Sequence, residues 1–394
     1  PRLYMALTME DRFPVVDIMD QTPPIPENCQ WAMFLRNHDE LTLEMVTDEE
    51  RDYMYRVYAQ DPKSRLNLGI RRRLAPLLGN DRRKIELLNS LLFSFPGTPI
   101  LYYGDEIGMG DNFYLGDRDG VRTPMQWSAD RNAGFSRCNP QRLYLPVIID
   151  SEYHFEALNV ENQEKNLSSL LWWMKRLIGV RRSYPALSGG DMQFVLSDNP
   201  HILSFTRTSD EQTILVAANL SHYHQVAELD LQEYAGLEPV EMFSQNAFPA
   251  IRTTSYRIIL GPYGYLWLLL KHETEELQAP EEQELPELRV RAGWRRVLAG
   301  SSRQSLERKA LRPFLERARW FAGKVRGLRG VKIVDVVSLN KDSDAPVLLL
   351  IEPVYPGGSQ EWYLLPLDFA SGEGALEIME KHPNSIVSRL YVDD

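Results

Sequence analysis

The 394-residue chain has little of what marks a secreted, membrane-bound or nucleic-acid-binding protein. Its two cysteines, Cys29 and Cys138, can form at most one disulfide, so we expect no disulfide framework and a reducing, cytoplasmic location. The longest apolar run, Gly264 to Leu270, is far shorter than the roughly 20 residues that span a bilayer. Charged residues at 10–12 interrupt the amino-terminal stretch, unlike a signal peptide. A net charge of -11 disfavours nonspecific binding to nucleic acid and anionic membranes.

The remaining composition is that of a folded globular protein, and the sequence pattern divides the chain into four segments. Helical and strand patterns alternate in residues 1–188, which is typical of a parallel α/β architecture. Residues 189–270 contain short strands between turns, which predicts an antiparallel β-sandwich. Residues 271–288 hold seven Glu and one Lys and form an acidic linker. The pattern of residues 289–394 predicts an incomplete α+β module, whose first part is rich in Arg and Lys.

Two short apolar runs in the first segment predict strands of a parallel sheet. They are Trp31 to Leu35 and Ile100 to Tyr103, and both have the near-continuous hydrophobicity of strands that are buried on both faces. The preceding residues 3–20 form helix readily but contain Pro14, which predicts either two short helices or one helix broken at Phe13.

Three further helices are predicted from apolar spacing and end signals. Asp81 can cap the first of them, in which apolar residues recur at helical spacing from Ile85 to Leu92. Pro185 is expected to stop the second, over residues 167–178. The third is expected from Gln304 to Phe321 in the last module.

A cluster of polar residues, RNHDE, follows the first predicted strand. Active sites of parallel α/β barrels lie at the carboxyl ends of the strands. There His38 can donate hydrogen bonds to sugar hydroxyls, and Asp39 can offset the positive charge of an oxocarbenium-like centre. An isolated His-Asp pair is more often only a solvated strand end, so these residues alone leave both interpretations open.

Three strings of residues in the same order and spacing resemble motifs of the α-amylase superfamily, glycoside hydrolase family 13. FLRNHDEL resembles the end of that family's seventh barrel strand, and GTPILYYGDEIGMGD its eighth strand and the following loop. RDGVRTPMQW resembles a signature shared by its α-glucosidase and trehalose synthase branches. The resemblance implies that residues 1–188 are the carboxyl-terminal part of a TIM (β/α)8 barrel and that the sandwich is its usual companion domain.

Longer strings point to one branch of that superfamily. DRFPVVDIMDQTPPIP, LNLGIRRRLAPLLGNDRRKIELLN and LNVENQEKNLSSLLWWMKRLIGVRR resemble the trehalose synthases, which are maltose α-D-glucosyltransferases. LERKALRPFLERARWFAGK, at 306–324, is similar to the amino-terminal cap of maltokinases, and fusions of the two occur in the family. The resemblance implies isomerisation of maltose to trehalose by a retaining double displacement, joined to ATP-dependent phosphorylation of maltose.

The resemblance also assigns roles to individual residues. Asp39 matches the transition-state stabiliser, while His38, Asn37 and Arg122 match residues that bind the substrate glucose. For Arg122, an ion pair with Asp117 or Asp119 that merely braces the loop is the alternative. The neighbouring acids at 105 and 106 match structural positions of the family.

The family's nucleophile and general acid match positions upstream of Pro1, so we expect the isolated chain to be inactive. No cofactor or metal is expected in this chain, whereas calcium in the intact synthase and ATP with magnesium in the intact kinase are implied by the resemblance. Maltose and trehalose are the expected ligands, and the intact protein is expected to form a homo-oligomer. No GxxxxGK phosphate-binding loop occurs, and no kinase catalytic residue is assigned.

Several alternatives stay open at this point. A hydrolytic α-glucosidase shares the RTPMQW signature, and a noncatalytic barrel scaffold would lack the upstream carboxylates. Residues 47–83 resemble a lid over the sugar pocket but fit a solvated helical surface equally well. We expect His222 and His224 to bind no metal, Cys138 to be a free thiol, and the two tryptophans at 172 and 173 to lie in the core.

Overall fold

A computed structural model describes residues 1–394 except 27, 211, 273–284, 292, 319–320, 322–327, 341–344, 356–360 and 394. The chain divides into two compact units, Pro1–Glu275 and Glu276–Asp394. Most of the predicted acidic linker, and part of the string that resembles the maltokinase cap, lie outside the described residues.

The first part of unit 1 is mainly helical. Pro14 separates two helices, as one of the two alternatives predicted, because it occupies the first turn of the second helix, where no N–H is needed. The elements of this part are α1 (Arg2–Met9), α2 (Phe13–Gln21), β1 (Ala32–Met33), β2 (Leu41–Thr42), α3 (Asp48–Tyr58), β3 (Arg65–Leu66), β4 (Gly69–Ile70), α4 (Leu74–Leu77), α5 (Arg82–Ser94), β5 (Thr98–Pro99), α6 (Val160–Glu164), α7 (Leu170–Ser183) and α8 (Pro185–Gly189).

Helix α5 begins where the sequence predicted. The Asp81 side chain accepts a hydrogen bond from the main-chain N–H of Arg83 at 2.9 Å, which satisfies a donor that the first turn leaves unpaired. Its buried face then packs into the main core of unit 1. Helix α7 begins at Leu170, three residues later than predicted, because Ser169 caps its first turn, and Pro185 starts the next helix.

Strands β1 and β5 form a two-stranded parallel sheet, in which Ala32 pairs with Thr98. The second strand was predicted at Ile100 to Tyr103, which is wrong. The main-chain N–H groups of Thr98 and Ile100 donate to the oxygens of Trp31 and Met33, so the ladder ends where that apolar run begins.

Burial of this strand pair on both faces was also expected, and it is not observed. The side chains of Trp31, Phe34 and Ile100 are 45%, 49% and 48% exposed. Each strand has a single partner within the part of the chain that the structure describes, so its side chains have no neighbours along the other edge.

The second part of unit 1 is antiparallel β-structure, as the turn spacing predicted. Strands β10-β12-β8-β7-β6 form a five-stranded sheet, and β11 pairs with β9. The strands are β6 (Asp191–Phe194), β7 (Ile202–Thr208), β8 (Thr213–Asn219), β9 (Gln225–Leu229), β10 (Leu237–Glu241), β11 (Tyr256–Leu260) and β12 (Tyr265–His272).

The five-stranded sheet is buried on both faces. One face shares a core with β9 and β11, through residues such as Leu215 and Ile258. The other face, including Phe205 and Val216, packs into the core of the helical part. Arg12 fastens the two parts together, because its guanidinium donates to the main-chain oxygens of Asn199, Ile202 and Ser197.

Unit 2 combines helices with two small sheets. Strand β13 pairs with β17 in parallel, and β14-β15-β16 form an antiparallel sheet. The elements are β13 (Glu287–Arg291), α9 (Gly300–Ser305), a π-helical stretch (Leu306–Leu311), α10 (Arg312–Arg317), β14 (Gly330–Ser338), β15 (Val347–Val354), β16 (Tyr363–Leu367), α11 (Gly372–Lys381) and β17 (Arg389–Asp393).

The helix predicted from Gln304 to Phe321 starts earlier, at Gly300, and ends at Arg317. Pro313 has no N–H to donate, which interrupts the regular ladder just after the π-helical stretch. Ala318 then adopts an extended backbone. None of the described helices is long and apolar enough to cross a membrane.

Candidate active site

The loop that follows β1 carries the predicted site residues Asn37, His38 and Asp39. Its turn is local, because the Asn37 side-chain oxygen accepts a hydrogen bond from the Asp39 N–H at 3.0 Å. The amide group of Asn37 is thus partly engaged within the loop itself. His38 is exposed, while Asn37 and Asp39 are half-buried.

Arg118 is the residue that ties this loop to the RDGVRTPMQW segment. Its Nε lies 2.6 Å from Oδ1 of Asp39 and 3.0 Å from Oε2 of Glu40, and its Nη1 lies 2.8 Å from Asp117. Three carboxylates therefore converge on one guanidinium. Sequence analysis missed Arg118, although its position between two aspartates was a signal that an arginine there could take a carboxylate partner.

Asp39 is held as a carboxylate by these neighbours. Hydrogen bonding with Glu40 and with Arg118 keeps the pKa of Asp39 well below its ordinary value, against the opposing effect of partial burial. The side chain is still 40% exposed, so one side of the carboxylate is open to a ligand. A carboxylate that is ionised at neutral pH and accessible can stabilise positive charge on a bound molecule.

Arg122 contacts the same loop from another direction. Its Nε donates to the main-chain oxygen of His38 at 2.9 Å. The alternative ion pair with Asp117 or Asp119 is not found in the described part of the chain, and Asp117 pairs with Arg118 instead. The structure therefore brings Asn37, His38, Asp39 and Arg122 together at one end of the β1–β5 sheet.

Arg122 also lines a cavity of about 540 Å³, which lies within the range of small-molecule sites. Aromatic rings and one carboxylate provide much of its wall: the lining includes Tyr103, Glu106, Trp127, Phe135 and Tyr144. Burial raises the pKa of Glu106 above its ordinary value. The Tyr103 hydroxyl donates to the main-chain oxygen of Thr123 at 2.6 Å, which fixes one wall to the RDGVRTPMQW segment.

A layer of buried charge lies beneath this surface. Arg36, Arg73, Asp105 and Asp111 are all less than a tenth exposed. Arg73 and Asp105 lie 3.6 Å apart, and Asp111 lies 3.0 Å from Nε of Arg72. Burial raises the pKa of Asp105 to about 7, although both buried arginines oppose the shift.

The segment that resembles a lid, residues 47–83, is attached directly to the site loop. Strand β2, which begins one residue after Glu40, pairs with β4 and thereby with β3. Helix α3 begins with a capping box between Thr47 and Glu50 and buries Met54 completely. The segment therefore has a packed face as well as a solvated one.

The remaining histidine, cysteine and tryptophan residues considered from sequence lie outside this site. The His222 ring nitrogen contacts the carboxylate of Glu10, and no cluster of three or more His, Cys, Asp or Glu that could hold a metal occurs among the described residues. Cys29 and Cys138 are free thiols. Trp173 is buried, whereas Trp172 is half-buried and donates its indole N–H to the oxygen of Glu164.

Family models match three successive parts of the chain. Residues 70–190 match the α-amylase catalytic domain, residues 192–267 the maltogenic amylase C-terminal domain, and residues 314–379 the maltokinase N-terminal cap domain. The α-amylase part thus contains β5, the cavity and both site arginines, and the C-terminal sheet domain follows it directly.

Curated relatives are similar over a larger share of the chain than any one of these family models. The chain is 53% identical over 283 residues to "Trehalose synthase/amylase TreS" of Mycobacterium tuberculosis, covering 71% of this chain and 47% of the relative. It is 53% identical over 274 residues to the trehalose synthase of Pimelobacter, covering 68% and 48%. The trehalose synthase of Thermus thermophilus is 44% identical over 365 residues, 89% of this chain and 38% of the relative.

The chain therefore spans about half the length of the first two of these relatives. The Thermus match is longer than unit 1, so it includes a large part of unit 2. Taken with the three family models, these similarities identify the chain as a trehalose synthase homologue of the α-amylase superfamily that continues into a maltokinase cap segment.

Proposed function

We propose that this chain forms part of a trehalose synthase, the enzyme that isomerises maltose to trehalose, in a fusion with maltokinase. The observation that carries the proposal is the 53% identity to trehalose synthases over a stretch longer than unit 1. The match to the maltokinase cap supports the kinase half.

In the proposed reaction Asp39 stabilises the transition state. In a retaining glycosidase, positive charge develops at the anomeric carbon as the α-1,4 bond breaks. The ionised Asp39 beside that carbon lowers the energy of this transition state. The nucleophile and the general acid of the double displacement are supplied by residues outside this chain. The freed glucose turns in the closed pocket and attacks the glucosyl intermediate to form the α-1,1 bond.

His38, Asn37 and Arg122 bind the glucose whose bond is broken. The exposed imidazole of His38 can donate to a sugar hydroxyl. Arg122 donates a hydrogen bond to the main-chain oxygen of His38 and also lines the cavity. It can therefore both brace the site loop and close the sugar pocket. The 47–83 segment is the lid that keeps water from the intermediate.

The proposed domain boundaries follow the sequence segments. Residues 1–188 are the carboxyl-terminal part of the (β/α)8 barrel, 189–270 the sandwich, 271–288 the linker and 289–394 the α+β cap. ATP and magnesium belong to the kinase half and calcium to the intact synthase. Among the described residues, no group of three or more His, Cys, Asp or Glu could hold a metal ion.

Maltose and trehalose are the ligands of the intact protein, which we place in the cytoplasm as a homo-oligomer. The test uses the protein expressed from its complete coding sequence and incubated with maltose labelled with ¹³C in one glucose unit. Trehalose that retains both glucose units of one maltose molecule supports an intramolecular isomerase. Glucose as the sole product would make the protein a hydrolytic α-glucosidase, and unchanged maltose would make the barrel a noncatalytic scaffold.

A further inference from the structure

Arg36 precedes the site loop and is buried, with 2% of its surface exposed. Its Nη2 donates to the main-chain oxygen of Asp39 at 2.6 Å, and its Nε donates to the main-chain oxygen of Arg72 at 2.7 Å. One guanidinium thus joins the residue proposed to stabilise the transition state to the segment proposed to be the lid.

Placing a guanidinium here is costly, because a buried charge loses its hydration. Burial lowers the pKa of Arg36, while Tyr4, Asp105 and Asp111 act in the opposite direction. A residue whose only task was to fill this space could be apolar at no such cost. The two main-chain bonds are what an apolar side chain could not make.

The main chain at Arg72, to which Arg36 donates, is itself fixed. Nε of Arg72 lies 3.0 Å from the carboxylate of Asp111, and the main-chain N–H of Arg73 donates to the same carboxylate at 2.7 Å. Arg73 in turn donates to the main-chain oxygen of Tyr103 at 2.6 Å. The oxygen of Arg72 is therefore a rigid anchor for Arg36.

Asp39 is consequently held from two sides. Arg118 binds its carboxylate at the surface, and Arg36 binds its carbonyl oxygen from the interior. We propose that Arg36 is a positioning residue that sets the place of the Asp39 carboxylate and transmits the position of the 47–83 segment to it. This inference rests on the proposed function of Asp39, and Arg36 itself touches no substrate.

Arg207 provides a matched control. It is 1% exposed, and within the described part of the chain its guanidinium also donates only to main-chain oxygens, those of Gly190 and Ser94, at the junction of the helical part with the sandwich. Arg36→Gln and Arg207→Gln therefore remove the same kind of buried group, one beside the site loop and one away from it. Arg36→Lys keeps the charge and leaves an ammonium group that can donate to one of the two oxygens, and it serves where the glutamine variant fails to fold.

The experiment compares these variants in the protein expressed from its complete coding sequence, at a temperature where all are folded. We expect both glutamine variants to lower Tm. Arg36→Gln should also lower kcat by about tenfold or more, with KM nearly unchanged, and raise the share of glucose over trehalose. Arg36→Lys should recover part of kcat. Equal kcat and equal product ratios for the two glutamine variants would overturn the inference.

A second readout does not depend on activity. The Glu40 N–H donates to Oδ1 of Asp39, so hydrogen exchange at Glu40 reports the position of that carboxylate. Exchange should be at least about tenfold faster in Arg36→Gln than in Arg207→Gln, and the rate in Arg36→Lys should lie between those two. Unchanged exchange contradicts the inference. A parent protein that makes no trehalose defeats the proposed function, and the exchange result still decides the role of Arg36.

Discussion

Nε of Arg118 lies 2.6 Å from Oδ1 of Asp39, so the RDGVRTPMQW segment and the loop after β1 meet through an ion pair. Arg118 shares its guanidinium with Glu40 and Asp117. This arrangement keeps Asp39 ionised and fixes the distance between the two segments that carry all four candidate site residues.

Replacing Arg118 should raise the pKa of Asp39. In Arg118→Gln the hydrogen bonding with Glu40 remains, so we expect the pKa to rise only part of the way to about 3.9. A ¹³C NMR titration of the Asp39 carboxyl measures this. Asp117→Asn is the control, because it removes another partner of Arg118 and leaves the Asp39 pair intact. A pKa that moves equally in the two variants argues against the ion pair as a cause.

The same ion pair should stabilise the fold by a small, pH-dependent amount. A carboxyl with a depressed pKa in the folded state contributes stability above its unfolded pKa, near 4, and loses it as the pH falls. Since both side chains are partly exposed to water, which screens their attraction, we expect Arg118→Gln to lower the free energy of unfolding only slightly at pH 7. Urea unfolding at several pH values should show this difference shrinking below pH 4.

Gly104 should not tolerate a side chain. Its φ is 86°, and an added Cβ would lie 2.8 Å from Sδ of Met109 and 3.1 Å from Nη1 of Arg73. We expect Gly104→Ala to lower the free energy of unfolding by about 1 to 3 kcal/mol, from backbone strain and displacement of Arg73. Gly116→Ala is the control, because nothing lies within 4 Å of its Cβ. Equal urea midpoints for the two variants would contradict the prediction.

Asp105 should make the folded protein less stable as the pH rises toward neutrality. Burial raises its pKa to about 7, so between about pH 4 and pH 7 the folded protein holds a proton that the unfolded chain has released. Asp105→Asn removes this contribution. Between pH 5 and 6 the free energy of unfolding should therefore fall less steeply in the variant, by up to about 1.4 kcal/mol per pH unit. Parallel curves of unfolding free energy against pH for the variant and the parent would contradict the raised pKa of Asp105. Asp117→Asn is the control and should give a curve parallel to that of the parent over this range.

Sequence patterns predicted local structure well wherever a short-range signal determined it. The Pro14 break, the Asp81 cap and the antiparallel strands of the sandwich all depend on neighbouring residues, and all are present. The second strand was misplaced because its pairing depends on the main chain of Trp31 and Met33, some 67 residues away. Hydrophobicity alone does not encode that register.

The candidate site was predicted only in part. The resemblance selected Asp39 and Arg122, and the structure brings their loops together. Arg118 and Arg36 were missed because arginines are abundant nearby, and only the folded chain shows which of them faces a carboxylate and which a main-chain oxygen. The helix in unit 2 was predicted four residues too late at both ends, because apolar spacing continues past Arg317, where the backbone becomes extended.

The most direct test of the account is the rate of trehalose formation from maltose by Asp39→Asn, in the protein expressed from its complete coding sequence. Asparagine keeps the shape of the side chain and removes its charge, so the account predicts a loss in kcat of about 10²- to 10³-fold. Asp117→Asn, which alters another partner of Arg118, should stay within about threefold of the parent. An Asp39→Asn protein that forms trehalose at the parent rate would contradict the assignment of this loop as the active site.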